Sequence, residues 1–80
     1  MKEVTGMAII NNLKEVRINH KLNQEDLADG TGSCSRTIGR IERGERNPSL
    51  EMALRLAHYF DMNVEDIFKL MNKKEVGTQH

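Results

Sequence analysis

The sequence predicts an all-α domain of five short helices. Apolar residues return at three- and four-residue spacing in separate stretches, capping residues stand ahead of those stretches, and proline occurs once in 80 residues. With 38% hydrophobic and 30% charged residues, the composition is that of a globular domain and of neither a disordered tail nor a fibrous repeat. The length suits one domain with a modest core, and aromatics at 4% leave aliphatic side chains to fill it.

Residues 1–6 are polar and aperiodic and are expected to form a disordered extension. Ile10, Leu13 and Val16 then recur three apart with charges between them, the stripe of a first helix ending near His20. Asn23 and Asp26 make a variant of the capping box for a second helix running to about Gly30. Thr31-Gly32-Ser33 reads as a tight turn in which a glycine takes positive φ. Ile38 and Ile41 anchor a third helix, polar elsewhere, with Gly44 placed as its left-handed C-cap. After the Asn47-Pro48-Ser49 loop, Leu50, Ala53, Leu54, Ala57 and Phe60 form the strongest stripe in the chain, helix four. Asn63 caps a short fifth helix carrying Val64, Ile67 and Phe68, with Glu65 and Asp66 near its positive end. Met52 and Met62 are expected as packing or surface residues, residues 7–71 as the domain, and 72–80 as a flexible tail.

Twelve basic residues balance twelve acidic ones, so net charge gives no sign of a polyanionic partner. Residues 36–46 nevertheless hold four arginines, Arg36, Arg40, Arg43 and Arg46, against Glu42 and Glu45, a candidate basic face. A single cysteine, Cys34, excludes an intrachain disulfide and a multi-cysteine zinc site, which suits the reducing cytoplasm. At the start of a helix it reads as a small residue rather than a redox sensor. The apolar run Met7-Ala8-Ile9-Ile10 falls short of the ~7–15 residues of a secretory signal, and no run reaches membrane-spanning length. His20, His58 and His80 lack metal-ligand spacing, and Gly30-Thr31-Gly32-Ser33 lacks the ending of a phosphate-binding loop. No metal, cofactor or small-molecule ligand is expected. Neither a nucleophile with its base nor a carboxylate pair stands out, so the chain does not read as an enzyme.

Two short helices joined by about three residues, the second nearly all polar outside its two isoleucines, suit a helix half docked and half offered to a DNA major groove. Arg36 and Arg40 lie four apart on one face, and each guanidinium fork matches guanine O6 and N7, a contact that discriminates by ~1–3 kcal/mol. The stretch LNQEDLADGTGSCSRTIGRIERGERNPSLEMALRLA resembles the Cro/cI-type (XRE) helix-turn-helix pattern throughout. The resemblance rests on Gln24, Leu27-Ala28, Gly32, Thr37-Ile38, Ile41-Glu42-Arg43-Gly44 and Asn47-Pro48-Ser49-Leu50 together, and with the outer helices it covers about residues 10–70. Ala8-Ile9-Ile10-Asn11-Asn12-Leu13-Lys14 and Tyr59-Phe60 through Glu65-Asp66-Ile67-Phe68 are similar to the small dimeric repressors typified by the cytolysin-operon regulator.

The resemblance implies a lambda-repressor-like fold in which Met7 to Asn11 and Phe68 to Asn72 pair as a short antiparallel sheet. It assigns phosphate contact and bracing of the recognition helix to Gln24, and base reading to Ser35, Arg36 and Arg40. Thr37 and Arg43 match backbone-contacting positions, with Arg46 and Asn47 in the loop that approaches the next phosphate. Arg17 and Glu42 match a buried ion pair. The chain departs from the pattern at four positions. Gly30 costs ~1 kcal/mol against alanine and is expected to end helix two early. Ser33 replaces an apolar residue that pins the turn. Cys34 replaces the usual cap, leaving that role to Ser33 or Ser35, and Gly39 removes a side chain from the DNA face. The implied partner is double-stranded DNA, bound by a homodimer that sets helices 35–43 in successive major grooves ~34–36 Å apart on a palindromic operator. The dimer surface is expected at helix five and the terminal strands. The alternative is a protein-interaction module such as an antitoxin.

Overall fold

A computed structural model describes residues 6–72. The expectations for the extension and the tail fall outside these residues, apart from Gly6 and Asn72. The order is β1 (Met7–Asn11), α1 (Leu13–Asn19), α2 (Gln24–Thr31), α3 (Ser35–Glu42), α4 (Leu50–Phe60), α5 (Val64–Ile67) and β2 (Phe68–Asn72). Five helices surround one core to which every helix contributes: Leu13, Val16, Leu27, Ala28, Ile38, Ile41, Ala53, Leu56, Ala57, Phe60 and Ile67, with Phe68 of β2. Met52 and Met62 pack half-buried against it.

β1 and β2 pair antiparallel, with Ile9 opposite Leu70 and Asn11 opposite Phe68. Asn72 pairs with Met7, so the sheet runs one residue past the expected domain boundary. Ile10 therefore lies in the ladder opposite Lys69, not in the first helix, and α1 begins at Leu13. Asn11 makes the junction: its Oδ1 accepts the Leu13 N–H at 3.0 Å and its Nδ2 donates to the Ile41 carbonyl at 2.9 Å. Phe68 likewise leaves the fifth helix to open β2, while Asp66 Oδ2 accepts the Asn63 N–H at 3.2 Å.

Helices α1 to α4 end alike. At Lys21, Gly32, Gly44 and Asp61 the chain takes positive φ, and the next residue's N–H returns to the helix: Leu22 to Arg17, Ser33 to Ala28, Glu45 to Arg40 and Met62 to Ala57. These are Schellman closures, which satisfy the last carbonyls and turn the chain sharply. The expected early end of helix two does not occur, because Gly30 remains helical and α2 closes after Thr31. Gly30 has a packing reason: a Cβ there would lie 2.4 Å from the Tyr59 ring.

The stripe of α4 also differs from the one expected. Its buried face is Ala53, Leu56, Ala57 and Phe60, at helical spacing, whereas Leu50 and Leu54 are 76% and 52% exposed. Counting apolar residues in a helix where eight of eleven are apolar does not locate the face that packs.

Candidate nucleic-acid interface

Helix α3 is amphipathic. Ile38, Gly39 and Ile41 are buried against the body, while Ser35 and Arg36 are exposed and Arg40 is half-buried. Gly39 does not lie on the outward face as expected, but is buried. It lets α3 approach the start of α2, and a Cβ there would come within 3.3 Å of both the Gln24 side-chain nitrogen and oxygen.

At this crossing lies a buried polar cluster. Arg17 Nε and Nη2 donate to the two oxygens of Glu42 at 2.6 and 3.2 Å, and Arg17 Nη1 donates to the Leu22 carbonyl at 2.9 Å. Gln24 Nε2 donates to Glu42 Oε1 at 3.0 Å. The Arg17 and Glu42 side chains keep only 10% and 3% exposure, so the last residue of α3 is locked to α1 and α2 by three charge-assisted bonds. Gln24 thus sits at the first position of α2 bracing α3.

The cluster also changes the charge of the 36–46 segment. Glu42 is turned inward, and Arg43 is engaged by Glu45 at 2.8 and 3.2 Å on the open surface. The hydrogen bond from Arg43, then the Arg43 and Arg40 charges, hold the Glu45 carboxyl below its ordinary range. Arg36, Arg40 and Arg46 form no ion pair among the described residues. The candidate basic face is these three cations, with Asn47 exposed beside Arg46.

Neither Ser33 nor Ser35 caps α3. Cys34 occupies the cap position with extended backbone, and Ser35 is the first helical residue. The Cys34 sulfur lies 3.3 Å from Thr37 Oγ1, making no cap hydrogen bond of full geometry. That hydroxyl first, then the N–H groups at the helix start, hold the thiol below its ordinary range. Because an oxygen caps better than sulfur, Cys34→Ser is expected to raise stability by about 0.5–1 kcal/mol, read as a higher urea midpoint at unchanged slope.

Sequence reasoning missed Asn11, Glu45 and Arg55, whose contacts with α3, Arg43 and the turn follow no helical spacing rule. Of the histidines, His20 packs on Phe60 with ring centroids 4.7 Å apart, His58 is exposed, and His80 lies outside the described residues. No cluster of three or more metal-binding side chains occurs among the described residues, and no helix there is long and apolar enough to cross a membrane.

The chain is similar to known proteins in sequence and fold. A helix-turn-helix family model matches residues 13–67. An uncharacterised HTH-type transcriptional regulator of Methanocaldococcus jannaschii, MJ0272, is 47% identical over 58 residues, which is 72% of this chain and 88% of that protein. The HTH-type regulator YgzD of Bacillus subtilis is 38% identical over 75% of this chain and 91% of its own. The cryptic phage CTXphi transcriptional repressor RstR of Vibrio cholerae is 29% identical over 69% of this chain and half of that protein. Among solved structures, the restriction-modification controller protein C.AhdI of Aeromonas hydrophila superposes with a TM-score of 0.64 at 39% identity, covering 68% of this chain and 82% of that one. With its core, its buried brace and its exposed third helix in the matched region, the chain belongs to the XRE-type helix-turn-helix family of non-enzymatic, DNA-binding transcriptional regulators.

Proposed function

We propose that the protein is a homodimeric repressor that inserts α3 into the major groove of a palindromic operator. The observation that carries this reading is the outward pair Arg36 and Arg40 on a helix whose opposite side is fixed in the core, with the neighbouring Glu42 turned away. Two guanidinium forks held by a rigid body suit direct readout of guanine. Ser35 reads beside them. Thr37, Arg43, Gln24, Arg46 and Asn47 contact the phosphates and fix the register without reading sequence. Repression follows where the operator overlaps a promoter, and the name of RstR supports that sense. The site of action is the cytoplasm.

The terminal sheet and α5 supply the dimer surface. A two-stranded ribbon alone is marginal in water. Here Ile9 and Leu70 sit directly opposite each other at 39% and 53% exposure, an apolar face that a second copy covers. Leu70→Lys is expected to yield a folded monomer by sedimentation velocity; a variant still dimeric contradicts this surface. The function itself is tested by selection from random duplex DNA. Enrichment of an inverted repeat with half-sites about one helical turn apart is expected. A folded protein that enriches nothing overturns the reading in favour of a protein partner.

A further inference from the structure

The turn between α2 and α3 sets where α3 stands, and its Schellman closure and the Thr31 hydroxyl serve the Ala28 and Leu27 carbonyls, but α2 brings no cation to its own end. No basic residue lies in its last turn to offset the negative end of the helix dipole, and Gly32 follows at φ 71. The missing cation comes from α4. Arg55 donates from Nη1 to the Thr31 carbonyl at 3.2 Å, while its Nη2 bonds the carboxylate of Glu51 one turn earlier on the same helix. Glu51 orients the guanidinium, and the guanidinium holds the turn.

The fit at this point is close. A Cβ on Gly32 would fall 2.7 Å from Arg55 Nη1, so the residue that permits the turn also admits the clamp. One helical turn further on, Tyr59 covers Gly30. Helix α4 thereby grips the end of α2 at both of its glycines. We propose that Arg55 is a positioning residue for DNA recognition, holding the turn and hence α3 at the angle that base contacts require, without itself touching DNA. This rests on the DNA-binding reading above.

Arg55 is half-exposed, so its loss leaves the Thr31 carbonyl to water and the fold intact, while the turn loses its restraint. Sites of directional hydrogen bonding tolerate only ~0.5 Å of misplacement. The test compares wild type, Arg55→Met and Arg55→Lys by two measurements. One is amide exchange at Gly32 and Ser33 in the DNA-free protein. The other is affinity for the selected operator across a salt series, at a temperature where circular dichroism finds every variant fully folded. Arg55→Met is expected to exchange about 10-fold faster and to bind the operator about 10-fold more weakly, the loss of one charged hydrogen bond. Its salt slope is expected to stay unchanged, and Arg55→Lys to recover most of both effects. Unchanged exchange, or unchanged affinity in the fully folded variant, overturns the proposal. So does a salt slope shallower by about 0.9, which marks Arg55 as a phosphate contact. A wild type without operator preference refutes the DNA-binding reading instead, and the exchange rates still decide the clamp.

Discussion

Replacing Arg17 by Met or Glu42 by Leu is expected to destabilise the protein by about 3–5 kcal/mol, because each leaves the other charge buried and unpaired. Loss on this scale is severe for a small domain, whose whole stability is of order 5–15 kcal/mol. The Glu42 side chain is 3% exposed and takes three hydrogen bonds, two from Arg17 and one from Gln24. Without Arg17 only the neutral amide remains, and without Glu42 the guanidinium keeps only the Leu22 carbonyl. The double variant Arg17→Met/Glu42→Leu is expected to recover most of the loss, since an apolar pair needs no partner. Urea unfolding of the four proteins measures this cycle. Single losses under about 1 kcal/mol would mean that the pair behaves as a surface bridge.

Alanine at Arg36 or Arg40 is expected to cost about 1–3 kcal/mol of operator affinity each and to relax preference at one base position, with little effect on stability. Both side chains project from a helix held by Ile38 and Ile41, and among the described residues neither forms an ion pair that its loss would break. Arg46→Ala, in the loop, is expected to weaken all duplexes alike and to reduce the salt slope by about 0.9. Arg43 differs from these because Glu45 must first release it, which diminishes the free-energy gain from any phosphate contact. Balanced net charge is expected to make non-specific binding weak, so that in the proposed dimer base readout and dimerisation supply much of the affinity.

What was legible in the sequence was local. Asn23 with Asp26, the left-handed residues Gly32 and Gly44, and Ser49 as a cap act within a few residues, and the chain folds at each as its spacing predicts. The buried ion pair was legible only through family resemblance, since 25 residues separate Arg17 from Glu42. Misread positions were those decided by distant neighbours. Ile10 continues a helical spacing, but its backbone pairs with Lys69 across the whole chain. Gly30 and Gly39 look like helix defects until Tyr59 and Gln24 are seen packed against them. Leu50 and Leu54 fit the stripe, and only the packing of α4 turns them outward.

Whether α3 reads sequence through Arg36 and Arg40 is decided by a competition. The selected operator is titrated against a scrambled duplex at near-physiological salt, for wild type and for Arg36→Ala/Arg40→Ala, with both shown to be folded. Wild type is expected to prefer the operator by at least ~10³-fold and the double variant to lose nearly all of that preference while retaining weak, salt-sensitive binding. A folded double variant that still discriminates as wild type does would contradict the claim and place sequence reading elsewhere on the protein.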